Sequence, residues 1–188
     1  MKGILITNKG LEDVSKKEVK DILNTNVVKK NCLVEFEVKN YTELCKLAYR
    51  SQSARRVVLL LKKFKIDSLD DLEKIKTAEL DQWLTGKSFR ALCERQGKHN
   101  FNSMDVTRKI CQLLDYDADF KKSDVSLYTF IDQRDLYFGI DFCGFDLGKR
   151  DYNVFIHKES VKANIAYATT ALAEVKFSEL IVDPFCKS

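Results

Sequence analysis

The central part of the chain reads Ser88-Phe-Arg-Ala-Leu-Cys-Glu-Arg-Gln-Gly-Lys-His-Asn-Phe-Asn-Ser103. Phe89 and Ala91 alternate with polar or larger neighbours, as the apolar residues of a half-buried β-strand do. Gly97 then predicts a turn, because glycine adopts a positive φ without strain. Ser103 is a typical N-cap residue and precedes apolar residues at helical spacing. The stretch therefore predicts a strand, a turn and a helix in succession.

Four side chains with basic groups surround this predicted turn, namely Arg90, Arg95, Lys98 and His99. Cationic groups beside a helix N-terminus form a suitable site for phosphate. We therefore predict a concave, phosphate-binding surface at this point of the chain. An exposed basic turn without a ligand is the alternative, and the spacing of the residues does not exclude it.

Further candidates lie outside this stretch. Lys149 and Arg150 follow the last predicted strand, and we expect them beside the same surface. Arg55 and Arg56 precede a predicted buried strand, so at least one is expected to form a structural ion pair. Phe101 could stack on a base, but an aromatic residue beside an apolar helix usually belongs to the core.

The first 64 residues alternate between strand and helix patterns. Strands are predicted near Ile4 and at residues 27–30, 32–38 and 57–61, and helices at residues 11–23 and 44–48. Asn40 followed by Glu43 predicts the N-terminus of the second helix. This order predicts a ferredoxin-like domain over residues 1–64.

A second α/β unit is predicted over residues 65–152. Its connector, residues 67–81, has helical spacing, and two strands at 125–131 and 136–142 flank the turn Asp132-Gln133-Arg134-Asp135. The connector contains neither Gly nor Pro, so we expect two distinct cores in a fixed relative orientation. Over residues 153–188 we predict a helix from Val161 to Val175 and a terminal strand.

Composition indicates a folded protein of mixed α/β (α+β) class. The 188 residues are 45% hydrophobic and 32% charged, with one Pro and seven Gly. No apolar run is long enough to span a membrane and no signal-peptide pattern is present, so we expect a cytoplasmic protein without membrane contact. Residues 1–64 carry 14 Lys and Arg against 7 Asp and Glu. A basic front end is typical of a protein that binds a polyanion.

The cysteines and histidines do not predict a metal site. None of the six cysteines has the C-x-x-C spacing that places two thiolates on one ion, and the two histidines are far apart in sequence. We expect the cysteines to pack in the core.

Several of these stretches resemble one family of RNA-modifying enzymes. Residues 88–103 together with Gly144-Phe-Asp-Leu-Gly-Lys-Arg-Asp-Tyr152 closely resemble the THUMP domain. Ser53-Ala-Arg-Arg-Val57 resembles the strand entry before that domain. Lys158-Glu-Ser160 and the terminal Asp183-Pro-Phe-Cys-Lys-Ser188 resemble a junction with a methyltransferase domain. Together they resemble the N-terminal half of a THUMP-containing tRNA guanine-N2 methyltransferase, truncated at its first cofactor motif.

The resemblance implies a function and a cofactor. It implies that residues 65–152 form a THUMP domain that grips the acceptor end of tRNA, while a domain starting near residue 176 binds S-adenosylmethionine. Asp183, Pro184, Phe185 and Cys186 match part of the family's first cofactor motif, with Lys187 where Gly usually follows. The family's Asn/Asp-Pro-Pro-aromatic catalytic motif is not in these residues. We therefore expect RNA recognition, with no catalytic residue, no S-adenosylmethionine binding and no methyl transfer by this chain alone.

Two alternatives remain at this point. The chain could be a stand-alone RNA-binding module or a subunit whose catalytic partner is a separate chain. It could also be the front half of a THUMP-type tRNA thiouridine synthetase, although Asp183-Pro-Phe-Cys is unlike the glycine-rich ATP loop of such an enzyme.

Overall fold

Strands rich in valine, isoleucine, leucine and aromatic residues form the centre of the protein. The computed structural model describes residues 1–76, 78–150, 160–176 and 178–182. The strands are β1 (Lys2–Ile6), β2 (Val27–Lys30), β3 (Leu33–Glu37), β4 (Arg56–Lys65), β5 (Phe89–Gln96), β6 (Val125–Asp132) and β7 (Asp135–Asp141). The helices are α1 (Glu12–Leu23), α2 (Tyr41–Arg50), α3 (Ala78–Leu84), α4 (Ser103–Leu113) and α5 (Ala163–Leu172), with a 3₁₀ helix at Leu69–Ile75.

One mixed sheet contains all seven of these strands in the order β2-β3-β1-β4-β7-β6-β5. β5 and β6 are parallel, and the other neighbours are antiparallel. β4 pairs with β1 on one side and with β7 on the other. The predicted boundary at residue 64 thus falls in a strand that joins the two predicted units into one sheet.

The pairing of β4 with β7 is unusually close at one point. A Cβ at Gly139 would lie 1.8 Å from the carbonyl oxygen of Leu59, so a side chain does not fit there. The register also shifts between Leu60 and Lys62, as in a β-bulge. Glycine and the bulge together allow the strand from one predicted unit to pair with the strand from the other.

The hydrophobic core is also shared. One buried cluster contains Leu5 and Val34 from the first predicted unit together with Ile110 and Leu127 from the second. The prediction of two distinct cores is therefore wrong. The two units share one core because β4 contributes Val57 to this cluster and pairs with strands of both units.

The sheet curls around a second cluster on its other face. This cluster consists of strand residues from both halves of the sheet together with Cys32, and includes Ile6, Val58 and Phe130. At the opening of the curl, Nδ2 of Asn31 donates to Oε1 of Gln96 at 3.3 Å and to Oδ1 of Asp132 at 3.0 Å. The turn between β2 and β3 therefore meets the end of β5, which lies at the opposite edge of the sheet.

Local sequence signals account for most of the turns and helix ends. The two-residue turn between β6 and β7 has Gln133 at φ +53. Asn40 caps α2 by accepting from the backbone N–H of Glu43 at 3.1 Å. The cap of α4 is Asn102 and not the predicted Ser103, which is the first helical residue.

The C-terminal prediction is only partly matched. The predicted helix at 161–175 is present as the shorter α5, but residues 178–182 form no strand, and Leu180 is 89% exposed. The described part of the predicted terminal strand, residues 178–182, is therefore not in a strand. Residues 183–186, the partial cofactor motif, lie outside the described residues. None of the described helices has the length and apolar character that crossing a membrane requires.

Candidate nucleic-acid interface

The turn after β5 is built as the sequence predicts. Gly97 has φ +106, and a Cβ there would lie 2.7 Å from Oε1 of Gln133. The backbone N–H of Gln133 donates to the carbonyl of Gln96 at 2.9 Å. The turn is thus packed against the β6–β7 turn, and glycine is required both for its φ and for its close packing.

Arg95 and His99 hold this turn in place. The guanidinium of Arg95 lies 3.1 Å from Nδ1 of His99, and Nε2 of His99 contacts the carbonyl oxygen of Gln133. Both contacts are satisfied when the ring proton is on Nε2, so that Nδ1 accepts from the arginine. The ring also packs on Phe101 at a centroid distance of 5.0 Å. Phe101 is itself buried, which confirms its expected place in the core.

Lys98 is the cation that this arrangement leaves accessible. It is exposed, and no carboxylate among the described residues pairs with it. The N-terminus of α4 carries a capping box that engages the N–H of Asp105 and places the Asp105 carboxylate at this end of the helix. Asn102 accepts from the N–H of Asp105 at 3.0 Å, and the Asp105 carboxylate accepts from the N–H of Asn102 at 2.9 Å. Phosphate binding here would depend on Lys98 and the half-buried Arg95.

Arg90 lies elsewhere. It stands five residues before Arg95 on the same strand, which corresponds to about 16 Å. Its Nε donates to the hydroxyl of Ser126 at 2.8 Å, and its Nη2 donates to the carbonyl of Gly144. The structure therefore does not bring Arg90 together with the Gly97 turn. The guanidinium of Arg90 instead attaches the loop after β7 to the sheet.

At least one of Arg55 and Arg56 was predicted to form an ion pair, and both of them do. Arg55 contacts Glu94 at 2.7 Å, and Arg56 pairs with the buried Asp141. Tyr128 donates its hydroxyl to Glu94 at 2.8 Å, and burial together with this carboxylate raises the pKa of the phenol. These side chains tie β4 to β5 and β7, and their charges largely cancel.

Lys149 and Arg150 lie in the segment after β7. Lys149 is exposed, while Arg150 is half-buried and donates from Nη2 to the carbonyl of Ser51 at 2.5 Å. Arg150 thereby faces a cleft between the end of α2 and the start of α5. We call it the α2–α5 cleft, which has a volume of about 630 Å³ and is lined by Tyr49, Arg50, Ser51, Gln52, Arg150, Ala163, Ala166, Tyr167 and Thr170.

Among the described cysteines, Cys45 is the exception to the predicted structural role, and Cys186 lies outside the described residues. Burial raises the pKa of the Cys93 and Cys143 thiols to about 12, so neither is a nucleophile at neutral pH. Cys45 differs in being exposed. Within the described ranges, no group of three or more His, Cys, Asp or Glu side chains could hold a metal ion.

Known relatives cover almost the whole chain, although no family model matches it. A tRNA (guanine(6)-N2)-methyltransferase of Archaeoglobus fulgidus is 28% identical over 199 residues, covering 95% of this chain and 49% of the relative. The enzyme of the same name from Methanocaldococcus jannaschii is 29% identical over 195 residues, covering 95% of this chain and 51% of the relative. The chain is similar to tRNA guanine-N2 methyltransferases. It spans about half of the length of these relatives.

Two other likenesses are more restricted. A tRNA sulfurtransferase of Thermoplasma acidophilum is 32% identical over 80 residues, which is 40% of this chain and 16% of that protein. The crystal structure of TrmN from Thermus thermophilus superposes with a TM-score of 0.68 over 92% of this chain and 54% of TrmN, at 22% identity. At that identity the superposition shows a shared fold.

The predicted basic residues thus fall into separate groups. Arg95, Lys98 and His99 lie at the Gly97 turn, Arg90 anchors the Gly144 loop, Arg150 lines the α2–α5 cleft, and Lys149 is exposed in the segment after β7. Sequence reasoning missed three residues of the cleft, namely Tyr49, Arg50 and Tyr167. One of them was detectable. Tyr49 comes two residues after Leu47 and five after Leu44, so the apolar spacing of those leucines places it on the outer face of α2.

Proposed function

We propose that this chain is the tRNA-recognition part of an S-adenosylmethionine-dependent tRNA guanine-N2 methyltransferase. The observation that carries the proposal is that two tRNA (guanine(6)-N2)-methyltransferases align with 95% of the length of this chain, at 28% and 29% identity. Within the proposal, residues 1–64 are the ferredoxin-like domain, residues 65–152 the THUMP domain and residues 153–188 the start of the methyltransferase domain.

The chain would contact its tRNA mainly through the phosphate backbone near the acceptor end. Lys98 supports this, because it is exposed, unpaired among the described residues, and held on a turn fixed by Arg95 and His99. Contacts to phosphate position a nucleic acid without reading its bases. Exposed Lys149 and half-buried Arg150 would extend this contact.

Methyl transfer is proposed for a protein with the full length of the relatives. S-adenosylmethionine would supply the methyl group there, and residues 183–186 would contribute to its site. The role proposed for residues 1–150 is to bind and orient the tRNA. We expect no measurable binding of S-adenosylmethionine to these 188 residues alone, because a doubly wound site needs several strands and their loops.

Fluorescence anisotropy with labelled tRNA over a salt series tests the RNA-binding role. If about five phosphates are contacted, log affinity should fall with log salt at a slope of about −3.5 to −4.5. Lys98→Glu should weaken binding about tenfold for every tRNA tested and make the slope shallower by about one. Lys121→Glu makes the same change of charge at another exposed lysine and should have a smaller effect. A tRNA affinity that does not change with salt concentration, or that is the same in Lys98→Glu as in the unchanged chain, contradicts this role for the turn.

A tRNA thiouridine synthetase is the second candidate, and the similarity to a tRNA sulfurtransferase favours it over part of the chain. Mass spectrometry of nucleosides from tRNA separates the two reactions. Deleting the gene should remove N2-methylguanosine if the first proposal holds. Loss of thiouridine with N2-methylguanosine retained would support the second.

A further inference from the structure

We propose that the α2–α5 cleft binds a single-stranded segment of RNA, with Arg50 and Arg150 on its phosphates and the rings of Tyr49 and Tyr167 against its bases. The inference rests on the proposed function in taking RNA as the ligand. It assigns the contact to a surface separate from the Gly97 turn and to unpaired nucleotides.

Charge distinguishes this cleft from three others on the described surface. Among the described residues its charged lining consists of two arginines. Each of the other three combines one or more lysines with two carboxylates, which are Glu35 and Glu79, Glu37 and Glu43, and Asp81 and Asp115. Carboxylates weaken the attraction of a cleft for phosphate, so of these four linings that of the α2–α5 cleft favours an anion most.

The arginines are placed differently and complement each other. Arg150 is half-buried and directed by its bond to the Ser51 carbonyl, which uses one of its five N–H donors. Arg50 is exposed in the last turn of α2, and no described carboxylate pairs with it. One guanidinium is therefore fixed in advance, and the other can close on a bound phosphate.

The floor of the cleft is rigid. The carboxylate of buried Glu18 accepts from the hydroxyl and N–H of Ser53, from the hydroxyl of Ser51 and from the N–H of Gln52, at 2.5 to 3.1 Å. These bonds fix the segment that carries the carbonyl partner of Arg150. A site held in place before binding loses less conformational entropy when the ligand arrives.

Two tyrosines supply stacking surfaces. Tyr49 is 89% exposed, and half-buried Tyr167 faces the cleft from α5. Burial, together with Glu18 and Asp21, raises the pKa of Tyr167, so its ring stays uncharged beside a phosphate. Stacking of a base on an aromatic ring strengthens binding and tolerates any base, because every base has an aromatic face.

The aromatic lining favours an unpaired strand over a duplex. In an RNA duplex the bases are stacked on each other and their faces are not accessible, whereas the bases of single-stranded nucleotides can stack on aromatic side chains of a protein. A volume of about 630 Å³ lies within the range of pockets for nucleotide-sized ligands.

The test measures Kd by anisotropy for a labelled single-stranded RNA pentamer and for a closed RNA hairpin, using the full chain. We expect Arg50→Glu to weaken pentamer binding at least tenfold and Tyr49→Ala at least about fivefold, with hairpin binding changed less than twofold. Lys46→Glu, one turn earlier on α2 and outside the cleft lining, is the matched charge control. Both Tyr49 and Arg50 are exposed, so circular dichroism should show unchanged folding.

The outcomes separate this inference from the proposed function. Pentamer binding that responds no more to Arg50→Glu than to Lys46→Glu overturns the inference, as does an equal loss for the hairpin. If tRNA binding still depends on Lys98 in that case, the proposed function stands. If the pentamer binds through the cleft and tRNA does not bind at all, the inference stands and the proposed function fails.

Discussion

At the scale of single residues, the buried carboxylate of Glu18 is held by hydrogen bonds. It is 8% exposed and accepts four hydrogen bonds from residues 51–53, and none of the ion pairs among the described residues includes it. Glu18→Gln keeps the shape but replaces an acceptor oxygen with a donor NH₂, which leaves buried donors unsatisfied. We expect the free energy of unfolding in urea to fall by about 2–3 kcal/mol.

The control for this change is Asp21→Asn, on the same helix but exposed. It should alter the free energy of unfolding by less than about 0.5 kcal/mol. Equal effects of the two substitutions would show that the Glu18 bonds do not stabilise the fold.

At the scale of elements, the start of α4 is stabilised by a capping box. Asn102 and Asp105 satisfy each other's backbone N–H groups, and the box lies at the helix end beside which the sequence predicts a phosphate. Asn102→Ala should lower the free energy of unfolding by about 1 kcal/mol, as loss of an N-cap usually does. Urea unfolding followed by circular dichroism measures the change.

Ser103→Ala is the matched comparison, since Ser103 is the cap that the sequence predicts. It lies inside the first turn of α4, so its loss should cost less than half as much as that of Asn102. A larger loss for Ser103→Ala would mean that the helix begins one residue later in solution.

At the scale of the whole molecule, the shared sheet determines how the chain behaves when it is cut. β4 pairs with β7 over seven residue pairs, and one buried cluster includes residues from both sides of the connector. After trypsin cleavage near Lys76, the two pieces should therefore elute together in gel filtration. Two separate peaks, each with the circular dichroism of a folded protein, would show independent halves.

The sequence predicts local features of this molecule far better than distant ones. Alternation places β6 and β7 within about one residue, and Asn40 marks the start of α2. The partner of Arg90 is a carbonyl 54 positions away, at Gly144. Such a contact depends on tertiary pairing and leaves no local pattern. For the same reason, the sequence groups Arg90 with Lys98, only eight positions apart, although Arg90 is bound to Ser126 and Gly144 and Lys98 is exposed.

The position of β4 also has a consequence for synthesis. Its partner β1 is made first, but β7 begins 70 residues after β4 ends. At about 5–20 residues per second, a ribosome takes about 4–14 seconds to make that interval. During that time the apolar run Val57-Val58-Leu59-Leu60-Leu61 has one edge without its native partner, and an open strand of this kind pairs readily with other chains. We therefore expect association between nascent chains through this edge to be most frequent before β7 is available to pair with it.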